Sequence, residues 1–177
     1  TANPEESASA IDRLAPRVMA ILDEHAPLRV ASALEVLAMQ VHNAVDAAAW
    51  ALSDVTADGS SIRTICGVDS MLDEYSGLAK LRRIDVGATY ALADYPWTAK
   101  VMASTGAAFI AEAGLEDCDP AETALLAEMG YHAVLAVGVR SADRGYLLEI
   151  FGWPRHQLAA VAPHVRVLAN YCAAIGV

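Results

Sequence analysis

Three cysteines and five histidines could supply nucleophiles or metal ligands, but their spacing favours neither role. Cys66, Cys118 and Cys172 lie far apart and contain no CxxC pair, so neither a zinc site nor a disulfide framework is indicated. The histidines are equally dispersed, and no two share the i, i+4 spacing of a helical metal site: His25, His42, His132, His156 and His164. Nucleophile-elbow, phosphate-loop and GxGxxG motifs do not occur in the sequence. We therefore predict no metal site and no catalytic centre.

Aromatic residues in the middle of the chain are better suited to binding. Tyr90, Tyr95 and Trp97 lie close together in sequence, and Phe109 follows them. Aromatic side chains with polar tips are common in sites for small organic ligands. The alternative interpretation, which the sequence leaves open, is that these rings fill the core of a ligand-free domain.

Composition argues against several classes of partner. The 177 residues suit one domain, and the net charge of −10 would repel phosphate backbones and anionic lipid, which predicts neither nucleic-acid nor membrane binding. The basic cluster Lys80, Arg82 and Arg83 is interpreted as a solvated loop. The sequence shows no apolar stretch of spanning length and no secretory signal, and its unpaired cysteines fit a reducing compartment. We expect a soluble, cytoplasmic protein.

Hydrophobic periodicity in the first half predicts two helices and a hairpin. The first helix carries apolar residues at steps of three and four, and the second spans about 29–45. Strands are predicted over 47–54 and 61–68, joined by a turn that contains Asp58 and Gly59. The segment 69–94 gives no clear pattern.

The second half has stronger signals. A short helix begins at Pro96 and a short strand covers 107–111. The next helix has Asp119 as its expected N-cap, Pro120 at its first position, Glu122 at its third and Gly130 beyond its end. A hairpin over 133–139 and 145–151 precedes a closing helix over 154–175, which Pro163 should kink or divide. This order predicts an α+β fold around a largely antiparallel sheet.

Two helices carry apolar stripes typical of coiled coils. In the closing helix the steps run three, four, three, four and three, along Leu158, Val161, Val165, Leu168, Cys172 and Ile175. The first helix has a similar stripe, Ile11, Leu14, Val18 and Ile21. These stripes predict a helical homodimer, and packing of each helix on its own sheet is the open alternative.

The order of elements, together with local sequences in the second half, resembles the GAF family of sensory and regulatory domains in bacterial signalling proteins. The similarity rests on Tyr95-Pro96, Thr105-Gly106, DPAETALLAEMG at 119–130, HAVLAVGV at 132–139 and DRGYLLEIFG at 143–152. It covers about residues 31–175. The resemblance implies a PAS-related fold, with terminal helices on one sheet face and short helices or loops over a pocket on the other. We expect a single domain over 1–177, with an N-terminal helix over 1–28 and a core over 29–177.

The resemblance also implies a regulatory, non-enzymatic role. A small molecule would bind in the pocket, and the terminal helices would carry the change to an effector or partner chain. The alternative is a ligandless dimerisation module. The implied pocket residues are Trp50, Tyr90, Tyr95, Trp97, Met102, Phe109, Met129 and His132.

The ligand itself is not implied. The Asn-Lys-Phe-Asp-Glu signature of the cyclic-nucleotide branch is absent. The bilin branch requires a cysteine directly beside a histidine, and no such pair occurs in the sequence. Haem would need His132 as its ligand, and the methionine sulfoxide reductase branch would need converging thiols; neither is favoured here. The chain departs from the family pattern at His132 and at Gly138, where a proline is common.

Overall fold

The chain is built around an antiparallel sheet of seven strands. A computed structural model describes residues 9–72, 79–82, 85–104, 106–115, 118–142, 144–152 and 154–177, apart from the side chains of 70–72 and 79–82. The helices are α1 (Leu14–Glu24), α2 (Val30–Val45), α3 (Pro96–Met102), α4 (Pro120–Met129) and α5 (Arg155–Ile175), with a 3-10 turn at Leu92–Asp94. The strands are β1 (Ala49–Val55), β2 (Ser61–Leu72), β3 (Ala79–Arg82), β4 (Thr89–Ala91), β5 (Ala108–Glu112), β6 (Ala133–Ser141) and β7 (Arg144–Gly152).

The strand order is β3-β2-β1-β7-β6-β5, with β4 added to β2. Strands β1 and β2 form one hairpin, β6 and β7 form another, and β1 joins the two by pairing with β7. The turn of the first hairpin is closed by Gly59, whose φ of 71° suits a residue without a Cβ. The predicted α+β architecture is confirmed, and both predicted hairpins are present.

Side-chain alternation along the central strands gives the sheet two different faces. Trp50 and Leu52 of β1 point to the face covered by α1, α2 and α5, and so do Leu148 and Ile150 of β7. The residues between them point to the opposite face, which α3 and α4 cover. Because successive residues of a strand face opposite sides, this alternation separates a core filled by long helices from a second, smaller cluster.

The apolar stripe of α5 lies inside the core of its own chain. Its first five members are buried against the sheet and α2: Leu158, Val161, Val165, Leu168 and Cys172. Leu14 and Val18 of α1 belong to the same core, Ile11 and Ile21 are partly buried, and Ile175 is exposed. The assignment of these stripes to a dimer seam was therefore wrong. The physical reason is that steps of three and four describe any buried helix face, whichever partner covers it.

Helix α5 is continuous through Pro163, so of the two predicted effects, a kink or a division, the division was wrong. Pro163 is exposed, and the carbonyl that loses its helical N–H partner on that side can be hydrated.

Among the described residues, α5 is also the one helix long and apolar enough to cross a membrane by length and composition. Core helices can share that length and composition, and its stripe faces the sheet.

Leu168→Ala tests the position of the α5 stripe. Leu168 is 3% exposed, so we expect a loss in the free energy of unfolding of about 2–5 kcal/mol, independent of protein concentration. The control is its neighbour Val167, which is 69% exposed. Val167→Ala should change stability by less than about 0.5 kcal/mol. Denaturant unfolding at two protein concentrations measures both losses. A loss for Leu168→Ala that changes with protein concentration, while that for Val167→Ala does not, would restore the dimer seam.

Candidate ligand pocket

A cavity of about 610 Å³ lies on the sheet face opposite the long helices. Its walls come from β1, β2, β4, β7 and α4, and from Tyr95 and Thr98 around the start of α3. The floor is low because Ala51 of β1 stands in register between Gly67 of β2 and Glu149 of β7. Small residues at the centre of the sheet therefore leave room where a core strand would normally carry a large apolar side chain.

Gly138 and Asp119 position the short helices that cover this face. A Cβ at Gly138 would collide with the backbone carbonyl of Val101, so the glycine allows α3 to lie against β6. The sequence predicted Asp119 as the N-cap of α4. Asp119 does occupy that position, but its side chain makes no capping hydrogen bond to α4. Its Oδ2 instead accepts a 2.8 Å hydrogen bond from the backbone N–H of Trp97 in the first turn of α3. One carboxylate thereby fixes the start of α3 beside the start of α4.

Four aromatic rings line the cavity as two pairs. Tyr90 and Tyr95 meet edge to face, with ring centroids 6.1 Å apart. Tyr131 and Phe151 are stacked, with centroids 4.9 Å apart. The cavity therefore offers aromatic surface from β4 and the segment before α3, and from β7 and the segment after α4.

Two carboxyl groups share this cavity in an environment that opposes their ionisation. Burial, and then the charge of Glu122, raises the pKa of Glu149 to about 8. Burial, and then the charge of Asp119, raises the pKa of Glu122 to about 7. Burial and the same two glutamates also raise the pKa of Tyr90, and that of Tyr95 to about 12. Near neutral pH the tyrosine hydroxyls are protonated, and the two glutamates are partly protonated.

The structure places three of the eight predicted pocket residues in the cavity lining: Tyr90, Tyr95 and Met129. They stay candidates for ligand contact. Trp50 was assigned to the wrong face, because it points from β1 into the core beneath the long helices. Met102 lines a second depression, of about 640 Å³, beside Asp54.

Trp97, Phe109 and His132 also lie outside the described lining of the cavity. Trp97 is 45% exposed and meets Phe109 edge to face, with centroids 6.1 Å apart. His132 lies just before β6, with its Nε2 3.6 Å from Oε1 of Glu112 on β5. His132 therefore stands outside the described lining, at a position from which a haem ligand would not face this cavity.

Sequence reasoning missed Glu122 and Glu149. Glu122 matched the third position of a capped helix, so it was interpreted as a local signal, yet it is buried in the cavity wall. Glu149 is the one charged residue in the apolar run of the last strand, YLLEIF, and this was the available signal. The side chains of Lys80, Arg82 and Arg83 lie outside the described residues.

The cysteines do not form a redox centre in the described structure. Cys66 and Cys172 pack with the helix-covered core, whereas Cys118 packs with the cluster on the other face. Burial, and then Glu35, raises the pKa of Cys66 to about 11, and burial raises the pKa of Cys172 to about 12. These two thiols are thus poor nucleophiles near neutral pH, contrary to the needs of a sulfoxide reductase. Among the described residues, no group of three His, Cys, Asp or Glu side chains could hold a metal ion.

An antiparallel sheet with long helices on one face, and short helices over a cavity on the other, defines a class of α+β domains. Comparison with solved structures narrows this class, because the chain has the fold of GAF domains. No family model matches the sequence, and no curated protein is similar at a significant level. The assignment of the GAF fold therefore rests on the comparison with solved structures.

Three solved structures illustrate the likeness. The bacteriophytochrome RpBphP3 from R. palustris matches 99% of this chain at 14% identity with a TM-score of 0.57, and the chain spans 39% of its length. The phycocyanobilin-bound GAF domain of a cyanobacterial phytochrome matches 98% at 16% identity with a TM-score of 0.56, over 96% of its length. The GAF domain of a phosphoenolpyruvate-protein phosphotransferase from Coxiella burnetii matches 95% at 14% identity with a TM-score of 0.52, over 93% of its length. At such identities the likeness shows the fold.

Glu149→Gln tests the electrostatics of the cavity through stability. The pKa of Glu149 is higher in the folded chain, about 8, than its ordinary value of 4.5, so the folded state binds more protons between these pH values. Stability should then fall as pH rises from 5 to 8, and the glutamine variant should gain at least about 1 kcal/mol relative to the parent across that range. Urea unfolding at several pH values measures this difference. The exposed Glu128, changed to Gln, is the control and should leave the slope unchanged. Parallel curves for the parent and Glu149→Gln would contradict the assignment.

Proposed function

We propose that this chain is a signal-sensing regulatory domain, without catalytic activity, that binds a small molecule in the cavity over the sheet. The observation that carries the proposal is the cavity of about 610 Å³, bordered by two aromatic pairs and two buried or partly buried glutamates. Sites for small molecules commonly have volumes of about 300–1,000 Å³, with mostly apolar walls and a few converging polar groups.

Strand β7 offers a route from the cavity to the long helices. Glu149 and Phe151 face the cavity, whereas Leu148 and Ile150 face the helix-covered core. The same strand ends at Gly152, and α5 begins at Arg155. A ligand that contacts Glu149 can therefore act on a strand that leads directly into α5, provided that it binds two states of the domain with different affinity. We infer that α1 and α5 carry this change to an effector or partner chain.

The comparisons support a sensing role by analogy of fold. Two of the similar structures are phytochrome proteins, and one of them is named as binding phycocyanobilin. The present sequence has no cysteine followed by histidine, so we do not extend the bilin to this chain. We propose a smaller ligand in the same region of the fold, in a cytoplasmic protein.

The alternative, a ligandless dimerisation module, requires a filled pocket, and the described cavity argues for the sensor. Homodimerisation is compatible with either function. Because the α5 stripe is buried, a dimer would have to use the outward faces of the helices, which carry the exposed Met19, Met39 and Val167.

Filling the cavity tests the proposal. Ala51 lies on the floor and is buried, so Ala51→Phe should occupy the space that a ligand needs. In a thermal-shift screen of metabolites, a compound present at 100 times its Kd should stabilise the parent by about 2.7 kcal/mol and leave Ala51→Phe unchanged. Ala160→Phe, on the exposed side of α5, is the matched control and should keep the response. If no metabolite stabilises the parent, or if Ala51→Phe responds like the parent, the ligandless module becomes the better description.

A further inference from the structure

We propose that the ligand of this cavity is a small organic cation, an amine or guanidine with an apolar body, whose charged head lies between Glu122 and Glu149. The inference rests on the proposed function and specifies the ligand class of the same cavity. It follows from the charge of the lining, the lack of partners for one buried carboxylate and the arrangement of the rings.

The described lining is acidic and contains no basic side chain. Its charged members are Asp69, Asp85, Glu122, Glu128 and Glu149. An anionic ligand would meet repulsion from several directions, whereas a cation would be attracted at every position of its approach. The sign of the lining therefore selects for positive charge.

Glu122 and Asp69 are the two carboxylates of the lining that carry the inference. The side chain of Glu122 borders the cavity although the residue is 3% exposed, and burial and the neighbouring Asp119 both act against its charge. In the same lining, Asp69 Oδ1 is a buried carboxylate oxygen without a hydrogen-bond partner among the described residues. Buried polar groups in folded proteins normally have a partner, and exceptions mark functional sites. A bound ammonium or guanidinium would supply that partner.

Glu149 extends the same arrangement to the floor of the cavity. Its charge is opposed by burial and by Glu122, so the two carboxyl groups sense each other. A cation placed between them would relieve this repulsion, whereas a neutral ligand would leave it. Binding should therefore displace protons from the pair and strengthen as pH rises from 6 to 8. The titratable groups that face this position are Asp69 on β2, Asp85 before β4, Tyr90 on β4, Tyr95 before α3, Glu122 and Glu128 on α4, Tyr131 after α4, and Glu149 on β7.

The aromatic pairs favour an organic cation over a metal ion. The Tyr90–Tyr95 and Tyr131–Phe151 pairs offer ring faces and edges to a ligand body, and aromatic faces attract ammonium and guanidinium groups. Among the described residues, the carboxylates do not come together in a group of three that could hold a metal ion. The cavity of about 610 Å³ also exceeds the needs of a single ion.

Isothermal titration calorimetry with three ligands of similar shape tests the proposal. The probes are 2-phenylethylamine, 2-phenylethanol and 3-phenylpropanoate, titrated into the whole chain at pH 8 and about 0.15 M salt to screen non-specific attraction. We expect the amine to bind at least about tenfold more tightly than the alcohol or the acid. In two buffers of different ionisation enthalpy at pH 7, the amine should release protons.

Three variants distinguish binding at this site from non-specific attraction to the net negative charge of the protein. Glu122→Gln and Glu149→Gln should each weaken amine binding by on the order of 10–100-fold, because each removes a charge-assisted contact. Neither should lower the melting temperature at pH 8, since each removes an ionised group that burial opposes. The matched control, Glu24→Gln, removes the same charge from an exposed position on α1, outside the cavity, and should weaken binding by less than about threefold.

The outcomes distinguish this inference from the proposed function. Tighter binding of the alcohol or the acid, blocked by Ala51→Phe, would overturn the cation and leave the small-molecule sensor standing. Equal weakening by Glu24→Gln, or amine binding that survives Ala51→Phe, would overturn the site. Failure of all three probes would overturn the cation proposal, and the metabolite screen would decide the sensor separately.

Discussion

The two-sided pattern of the central strands is the constraint on which the rest of the structure depends. Leu148 and Ile150 of β7 face the long helices, and between them Glu149 faces the cavity. Beside it, β1 presents Trp50 and Leu52 to the helices and Ala51 to the cavity. A shift of one residue in the pairing of β1 and β7 would exchange these faces, placing a carboxylate in the main core. The large apolar side chains on the helix face therefore fix the position of the acidic group on the other face.

Under the proposed function, this division also separates the residues that stabilise the fold from those that bind the ligand. The helix-covered face carries the large side chains of the main core and can maintain the fold. The cavity face can then tolerate features that cost stability, namely small residues on the floor and carboxyl groups that repel each other. Such departures from good packing are expected at binding sites, where the ligand supplies the missing contacts. Asp119 belongs to the same arrangement, since it holds α3 in place and also opposes the charge of Glu122.

The sequence predicted the positions of the helices and strands better than it predicted what each of them packs against. Local signals such as Pro120 and Gly130 placed α4 correctly, and the alternation in the last two strands predicted their hairpin. What a periodic pattern cannot report is the partner that it faces. The stripe of α5 was compatible with a second chain or with the sheet, and the choice depends on long-range contacts with α2.

The same limit explains the errors at the site. Trp50 is a residue type that is common in ligand sites, but the register of β1 with β7 decides which face of the sheet its side chain occupies. Asp119 and Glu122 matched a helix start so well that their long-range roles were hidden, one toward α3 and one toward the cavity. Tyr90 and Tyr95 were predicted as pocket residues from the resemblance and from the concentration of aromatic residues in this segment, and they meet in the cavity lining.

A crystal structure of the chain grown with 2-phenylethylamine at pH 8 would test the central claim most directly. The account predicts density for the amine in the cavity over the sheet. Its nitrogen should lie within hydrogen-bond distance of the carboxylates of Glu122 and Glu149, and its ring should lie against the aromatic pairs. An empty cavity, or an amine bound elsewhere on the acidic surface, would contradict it.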